Sequence, residues 1–326
     1  MKAKVILGVV LLVGIGVGTY IYQNRYLFFK YLPAIEKEEQ LKNINGKLCD
    51  EDGKLFTGRT KSASEEYTDI YSYKDGELDG LNVVYYKNNI KEIGHWKAGK
   101  QNGLFQMYTE DGVLIDNANF KDGERDGVTE QYYSDTGNLR AKAVYKNGVL
   151  HGEFKYCFPN GHTRAIANYE NGNLNGKFDE YYENGNLKLT GLYKENLQEG
   201  EWQYFNEDKN LVSKVNYKDG ELNGIKEDYH RNGNIWTRQE FKNNTPEGIY
   251  EVYYEDGNPQ LKAVIKDGQI VEENFFNPDG TISGNSDNIT ISESDEKITI
   301  EEISDDKIVI SENSEDFSKE LERWLL

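Results

Sequence analysis

The sequence lacks the residues that mark several common classes of protein. Only two cysteines are present, Cys49 and Cys157, so a disulfide-dense scaffold is excluded. Two free thiols are the simplest interpretation, and one disulfide between them is the alternative. Basic residues are outnumbered, with 38 Lys and Arg against 57 Asp and Glu. The resulting net charge of −19 argues against nucleic acid and anionic lipid as main partners, because both are bound largely through Lys and Arg.

Recognisable catalytic and metal-binding motifs are also missing. None of the four histidines, His95, His151, His162 and His230, has a metal-ligand spacing to another His or Cys. The sequence contains no HExxH, no GxSxG and no phosphate-binding GxxxxGK[ST]. We therefore expect no metal, no cofactor and no enzymatic activity.

Long apolar runs are absent except at the N-terminus. Residues 5–24 form a segment without charged side chains, and this segment is long enough to span a bilayer core. Tyrosines and phenylalanines follow between Tyr20 and Tyr31, as in the aromatic belt of a membrane interface. Residues 1–31 are predicted to be a transmembrane anchor, with a cleaved signal peptide as the alternative, and residues 32–45 a linker. The rest of the chain is expected outside the cytoplasm, in the periplasm or at the cell surface, or secreted if the signal is cleaved.

Glycine and tyrosine, by contrast, are abundant, with 32 and 24 copies, and both follow a strict period. Eight leading glycines are spaced by 23 to 25 residues: Gly80, Gly103, Gly127, Gly152, Gly176, Gly200, Gly224 and Gly248. Such a period indicates a repeat architecture, in which each unit is stabilised by its neighbours.

Each repeat unit contains two turn signals. The first is in most units an Asn-Gly or Asp-Gly pair, such as Asp111-Gly112 or Asn184-Gly185. Asn88-Asn89 and Thr136-Gly137 take the same place in two units, and Lys209-Asn210 is the one lapse. The Asn-Gly or Asp-Gly pair predicts a tight hairpin turn with positive φ at both central residues. The second is a slot four residues before each leading glycine, filled only by Gly or Asn, the residues that enter the left-handed region most easily.

These patterns predict an all-β fold. Each unit is a hairpin that cannot bury its own face, so residues 46–280 should form an elongated single-sheet solenoid of about eight 24-residue β-hairpin repeats. The first and last units are degenerate, as expected of units that cap open edges.

The motifs G-x-x-x-x-Y-Y-x-x-x-G-x-L and Y-x-x-G-x-x-x-G resemble those of MORN-repeat variants, in particular the YwqK-type bacterial family that is often labelled antitoxin. The stretch Leu55 to Gly58, LFTG, resembles the opening of that family. The resemblance covers residues 46–280. It implies a scaffold for protein or membrane contact, and the apolar N-terminus and acidic C-terminus depart from a simple cytosolic antitoxin.

Residues 281–326 form an acidic tail with 13 acidic and 4 basic residues. Blocks of alternating β-branched residues, such as Ile289-Thr290-Ile291, favour short strands, and the charge equally favours disorder until a partner binds. The last dozen residues predict a short amphipathic helix, either docked on the solenoid or serving as a docking peptide.

Two columns of aromatic residues are the candidate binding sites. The first stands seven residues before each leading glycine and comprises Trp96, Phe120, Tyr145, Tyr169, Tyr193, Tyr217 and Phe241. The second stands six residues after the leading glycine and includes Tyr86, Tyr133, Phe158, Tyr182 and Tyr254. The columns either pack repeat against repeat or expose an aromatic groove. Since a single-layer sheet cannot hide both of its faces, we expect one column to be partly exposed.

Three functions remain open on the sequence alone. The first is a non-catalytic, envelope-anchored repeat scaffold that binds a protein partner or a surface, with membrane contact through residues 5–24. The second is an antitoxin or immunity protein that neutralises a toxin by direct binding. The third is a structural spacer that holds the tail away from the membrane.

Overall fold

The computed structural model describes residues 40–285. The predicted N-terminal anchor, most of the linker and nearly all of the acidic tail lie outside these residues. No helix within 40–285 is long and apolar enough to cross a membrane.

The described chain is built from short antiparallel strands joined by tight turns, as predicted. The first twelve are β1 (Lys42–Ile44), β2 (Lys47–Cys49), β3 (Gly58–Ala63), β4 (Tyr67–Lys74), β5 (Glu77–Leu78), β6 (Gly80–Tyr86), β7 (Asn89–Lys97), β8 (Lys100–Tyr108), β9 (Leu114–Lys121), β10 (Glu124–Tyr132), β11 (Leu139–Lys146) and β12 (Val149–Cys157). The remainder are β13 (Thr163–Glu170), β14 (Asn173–Tyr181), β15 (Leu187–Lys194), β16 (Leu197–Phe205), β17 (Leu211–Lys218), β18 (Glu221–Tyr229), β19 (Ile235–Lys242), β20 (Thr245–Tyr253), β21 (Pro259–Lys266), β22 (Gln269–Phe276) and β23 (Ile282–Asn285).

The strands from β3 to β23 form one sheet in which chain order is also spatial order. From β7 to β22 each strand pairs antiparallel with the strand before it and the strand after it. At the N-terminal end β4 pairs with β3, β5 and β6. No residue register joins β23 to β3 within the described chain, so we describe the sheet as an open ribbon. The predicted all-β repeat sheet is confirmed, and it continues to Asn285, beyond the predicted boundary at residue 280.

The two edges of the ribbon carry different turns, and here the prediction was wrong in detail. Two-residue turns with positive φ at both residues occur at the second turn signal, for example Asp122 (φ 54°) and Gly123 (φ 93°) between Lys121 and Glu124. We call this side the turn edge. Positive φ at both central positions matches the right-handed strand twist, and Asn, Asp and Gly reach it most easily.

The Asn-Gly and Asp-Gly pairs lie on the opposite side, which we call the loop edge. In the loop after β14, the Gly185 N–H donates to the Tyr182 carbonyl (2.9 Å) and the Tyr182 N–H donates to the Asn186 carbonyl (2.8 Å). This is a three-residue loop in which only the glycine has a positive φ, 86° for Gly185. Sequence reasoning assigned the two-residue turn to this pair because both edges carry the same residue types.

Three loops deviate from this geometry. After β6, Tyr86 pairs with Asn89 across a two-residue turn in which Lys87 has φ 53°. Lys209 takes the glycine position in the loop after β16, with φ 68°, so a side chain occupies the left-handed region there. The loop after β10 holds one residue more than its counterparts, because Tyr133 pairs with Asn138 rather than with the fourth residue on. This extra residue accounts for the 25-residue interval between Gly127 and Gly152.

The N-terminal end of the sheet is covered by the segment that contains β1 and β2. The Leu48 N–H donates to the Gly76 carbonyl and the Gly76 N–H donates to the Phe56 carbonyl, each at 2.8 Å. Phe56 is buried and its ring lies 6.1 Å from that of Tyr73. Further along, a compact apolar cluster fills the first repeats: Ile70, Val83, Tyr85, Ile90, Ile93 and Tyr108. Cys49 and Cys157 are both buried free thiols.

Candidate binding surfaces

Each residue of the first aromatic column lies directly opposite a leading glycine on the neighbouring strand. Gly176 pairs with Tyr193 and Gly200 with Tyr217, and the same pairing recurs along the sheet. The leading glycine therefore sits within a strand, with φ 113° at Gly176, and not in a turn. An aromatic ring packed across a strand glycine covers the backbone that the glycine leaves bare.

We call the side of the sheet that carries this column the ring face. A second set of rings, two residues after the leading glycines, interlocks with it there. The Phe178 and Tyr193 centroids are 5.5 Å apart and nearly perpendicular, and those of Tyr193 and Trp202 are 5.0 Å apart. Edge-to-face pairs at such distances are the favoured aromatic geometry. The same contact recurs in Phe105–Phe120 (5.7 Å), Phe154–Tyr169 (6.1 Å) and Trp202–Tyr217 (6.2 Å).

Small residues make room for this ring zipper. Phe178 lies opposite Gly191 on the neighbouring strand. The Trp202 ring covers Gly191, since a Cβ added there would stand only 2.2 Å from that ring. The same position holds buried alanines in other units: Ala118, Ala143, Ala167 and Ala263. Trp202 is 1% exposed, so one ring per repeat, set against one small residue, is enough to bury the ring face locally.

Burial also raises the pKa of two tyrosines in the first aromatic column. Removal from water raises the pKa of Tyr193 to about 12, with smaller contributions from Tyr217 and Glu180. Burial likewise raises the pKa of Tyr145. The first column thus has a packing role at Phe120, Tyr169, Tyr193 and Tyr217. Its binding role, predicted for Trp96, Phe120, Tyr145, Tyr169, Tyr193, Tyr217 and Phe241, stays a prediction.

The second aromatic column lies along the loop edge rather than on a sheet face. Tyr133, Tyr182 and Tyr254 are the first residues after β10, β14 and β20. Each hydroxyl donates to a backbone carbonyl one repeat further on. The acceptors are Cys157 for Tyr133 (2.8 Å), Phe205 for Tyr182 (2.8 Å) and Phe276 for Tyr254 (3.0 Å).

At the start of this column, Tyr86 contacts the sheet differently. Its hydroxyl donates to Glu66 (3.4 Å) and its ring lies 5.3 Å from that of Tyr67. All four tyrosines of the column therefore hold neighbouring segments together. Their predicted binding role stays a prediction.

The Asn residues after the loop glycines form a second ladder along the loop edge. The side-chain amide of Asn186 donates to the Glu207 carbonyl (2.7 Å), and that of Asn234 to the Glu255 carbonyl (2.7 Å). Asn138 donates to Pro159 (2.8 Å) and Asn258 to Pro278 (3.0 Å) in the same way. The second Asn of each Asn-Gly-Asn stretch is thus explained by a hydrogen bond between repeats.

The side of the sheet opposite the ring face carries hydrogen-bonded ion pairs. Glu251 accepts from the Tyr253 hydroxyl (2.7 Å) and pairs with Lys262 (3.1 Å). Burial alone would raise the pKa of Glu251, but the hydrogen bonds from Tyr253 and Lys262 lower it. Conversely, burial and the hydrogen bond to Glu251 raise the pKa of Tyr253 to about 12. Equivalent sets are Tyr132–Glu130–Lys142 and Tyr229–Glu227–Arg238.

Aliphatic side chains on that same side are exposed near the turn edge, and sequence reasoning did not single them out. They lie in separate hairpins, where strand register sets Val128 opposite Val144, Ile249 opposite Val264, and Leu197 opposite Lys194. We call the exposed set the turn-edge strip: Val128 (37% exposed), Val149 (45%), Leu192 (48%), Leu197 (47%) and Ile249 (50%). Exposed apolar residues that form a contiguous patch are a feature of contact surfaces.

Comparison with known protein families identifies the repeat. The family model described as "MORN repeat variant" matches six tandem segments: residues 126–147, 150–171, 174–195, 198–219, 222–243 and 246–267. Residues 126–267 therefore consist of tandem MORN-repeat variants. Each matched segment corresponds to one hairpin of the ribbon. No curated protein matches the chain at a significant level.

Among solved structures, the chain is similar to parts of much longer proteins. One is "Crystal Structure of TcdB2-TccC3", at 11% identity, covering 66% of this chain and 15% of that one, with a TM-score of 0.19. A second is "Crystal Structure of TcdB2-TccC3-Cdc42", at 11% identity, covering 76% and 16%, with a TM-score of 0.18. A third is a Photorhabdus luminescens Tc holotoxin pore, at 13% identity, covering 74% and 15%, with a TM-score of 0.14. The chain thus spans less than a fifth of the length of these proteins.

One cleft interrupts the MORN repeats, beside the longer loop that follows β10. Its volume is about 610 Å³, and its walls include Met107, Ile115, Asp116, Tyr133 and Arg140. Asp116 pairs with Arg125 at 3.5 Å through Oδ2, while its Oδ1 is buried without a hydrogen-bond partner in the described structure. Sequence reasoning missed this cleft. The signal was the 25-residue interval that spans the loop.

Metal ligands are not grouped in the MORN repeats. Within residues 40–285, no cluster of three or more His, Cys, Asp or Glu side chains is arranged to hold an ion. The described surfaces offer apolar contact, hydrogen bonding and ion pairing.

Proposed function

We propose that this protein is a non-catalytic, envelope-anchored scaffold that binds a protein partner through the turn-edge strip. MORN repeats are generally protein- or membrane-binding modules and are typically non-catalytic. The observation that carries the proposal is the exposure of five aliphatic side chains, between 37% and 50%, on one side of one ribbon edge.

The distribution of engaged and exposed side chains supports this surface over the alternatives. The rings of the ring face pack against one another, and three tyrosines of the loop edge are bonded to carbonyls of the next repeat. The strip, in contrast, leaves its apolar surface in water. Covering apolar area is favourable by roughly 25 cal/mol per Å², so a partner with a complementary apolar ridge gains most there.

Photo-cross-linking in living cells tests whether the turn-edge strip is the binding surface. A photoreactive residue placed at Leu192 or Ile249 should form a defined cross-linked species with the partner. The matched control is the same residue at Lys209, which is exposed on the loop edge. Equal cross-linking from all three positions, or none from the strip, would contradict the proposal. Loss of the Leu192 species in a Val128→Ser, Ile249→Ser double variant would support it.

The envelope location rests on residues 5–24, an uncharged segment long enough to span a bilayer core. Protease added to intact cells, and to cells with an opened outer barrier, tests it by immunoblot of the repeat region. Digestion while the cytoplasmic membrane is sealed places the ribbon outside that membrane. Protection until lysis contradicts the envelope location.

The identity of the cross-linked partner separates the scaffold from the second candidate function. A toxin that is recovered from the strip, and whose activity falls when it is bound, would replace the scaffold role with that of an antitoxin or immunity protein. An envelope protein recovered from the same positions would support the scaffold.

A further inference from the structure

The loop edge has a gap in both of its ladders at the same place. Six residues after the leading glycine, where other repeats carry Tyr133, Tyr182 or Tyr254, the repeat that starts at Gly103 carries Thr109. In the same loop, Val113 follows the glycine where other repeats carry an amide-donating Asn. The Thr109 hydroxyl is used locally, since it accepts from the Val113 N–H at 3.0 Å. This loop therefore reaches the next repeat with neither a ring nor an amide.

The missing ring lies beside the cleft. Tyr133, Tyr182 and Tyr254 each bond to the carbonyl that ends a strand of the next repeat, namely Cys157, Phe205 and Phe276. By the same offset, a tyrosine at position 109 would reach the carbonyl of Tyr132. Tyr132 and Tyr133 both line the cleft of about 610 Å³, so the cleft borders the space that a ring fills in other repeats.

The walls of the cleft combine apolar surface with one incompletely satisfied acid. Met107 and Ile115 supply apolar surface. Asp116 is mostly buried, with 17% of its side chain exposed, and its ion pair with Arg125 is long at 3.5 Å. A buried carboxylate oxygen without a partner costs folding free energy. Asp116 Oδ1 has no accessible surface in the described structure, so a ligand's donor reaches it only when the Asp116 side chain turns toward the cleft. Burial also raises the pKa of Asp116, against the opposing effect of Arg125.

We propose that this cleft binds a basic side chain, a lysine or an arginine, presented by a protein partner. The ligand's aliphatic stem would lie on Met107 and Ile115 while its charged nitrogen donates to the Asp116 carboxylate. Arg140, also in the wall, already interacts with other residues of the protein. The net charge of −19 draws basic partners by long-range attraction. The proposal rests on the proposed protein-binding function and names one feature of the partner.

Nuclear magnetic resonance of the full-length protein with small probes tests the cleft without the partner. The methyl signals of Ile115 and Met107 would be followed during titration with N-acetyl-lysinamide, N-acetyl-norleucinamide and N-acetyl-glutaminamide. A hydrogen bond to a charged group predicts that lysinamide binds about tenfold more tightly than norleucinamide. Asp116→Asn should remove this preference. Equal binding of the two probes, or of lysinamide and glutaminamide, would overturn the proposal, as would the absence of saturable shifts.

A gap-filling variant gives a second, independent test. Thr109→Tyr should place a ring in the cleft and abolish the shifts caused by lysinamide. The matched control is Asn206→Tyr, the same substitution at the equivalent position of a repeat away from the cleft, which should leave binding unchanged. Binding that survives Thr109→Tyr, or that is lost equally in Asn206→Tyr, contradicts the proposal. Because no partner protein is used, a negative result here leaves the cross-linking test of the strip unaffected.

Discussion

The two hairpins around Trp202 and the two around Thr129 share the same strand arrangement, but their side chains fill the ring face to different extents. Around Trp202, a ring at each zipper position packs against glycine or a neighbouring ring, and Trp202 is 1% exposed. Around Thr129, the zipper ring is replaced by a threonine and a cleft opens nearby. The loop-edge ring is missing in both regions, at Thr109 and at Asn206. Strand pairing is antiparallel and continuous in both regions. The backbone hydrogen bonds thus maintain the repeat, while the choice of ring decides whether a unit is filled or leaves space for a ligand.

Removing the Trp202 ring should destabilise the hairpins around it more than any other change. Trp202→Ala is expected to lower the local free energy of unfolding by about 4 kcal/mol, since a buried aromatic leaves both lost apolar contact and a cavity. Hydrogen exchange of the amides in β15, β16 and β17 measures this. The control is Trp236→Ala, because Trp236 is 39% exposed and its loss should cost much less. Equal losses in the two variants would show that the zipper does not stabilise the sheet.

Adding a methyl group beneath the Trp202 ring should have the next largest effect on stability. Gly191→Ala places a Cβ 2.2 Å from the Trp202 ring, and overpacking of this kind costs about 1–3 kcal/mol. The smaller ring of Trp202→Phe should recover part of that loss in the double variant. A double-mutant cycle on thermal unfolding checks the coupling. Additive effects of the two substitutions would contradict direct contact between positions 191 and 202.

The loop at Lys209 offers a stabilising change. Lys209→Gly should raise stability by about 1 kcal/mol, because glycine adopts the left-handed region without the steric cost that a Cβ incurs. The reverse change at the equivalent site is Gly233→Ala, where φ is 90° and no atom lies within 4 Å of the added Cβ. It should lower stability by a similar amount, about 1 kcal/mol. Thermal midpoints of both variants against the unaltered protein provide the comparison.

The smallest effect is expected in the hairpins around Thr129. Thr129 is 4% exposed and its hydroxyl has no hydrogen-bond partner in the described structure. Thr129→Val keeps the shape and removes the unsatisfied group, so stability should rise by about 0.5–1 kcal/mol. Chemical denaturation followed by far-ultraviolet circular dichroism would detect it. A destabilised variant would mean that the hydroxyl finds a donor or a water molecule in solution.

The sequence alone predicts the period, the all-β class and both aromatic columns, because these depend on residue types that recur at fixed spacing. It fails where identical residue types serve different geometries. Asp122-Gly123 and Asp111-Gly112 look alike, yet only the former is a two-residue turn, and the difference lies in how many residues the flanking strands leave unpaired. The leading glycines are another example, since their role depends on the ring opposite them on the next strand.

The binding surfaces are harder to predict for the same reason. The turn-edge strip joins residues from several repeats, and its exposure depends on which side of the sheet each strand presents. The cleft, however, leaves a signal in the sequence. Thr109 and Val113 break two columns at once, and the extra residue near Thr136 lengthens the adjacent interval. A missing ring in a periodic column is therefore worth searching for in repeats of this type.

Because spatial order follows chain order along most of the ribbon, the sheet also has a mechanical consequence. Tension applied to the two ends of the chain would release hairpins one after another, since each is held only by its neighbours. Each 24-residue unit would add roughly 80 Å of contour length, at about 3.3–3.6 Å per residue. The protein would then behave as an extensible tether whose length increases in equal steps, with the unit around Trp202 among the last to yield.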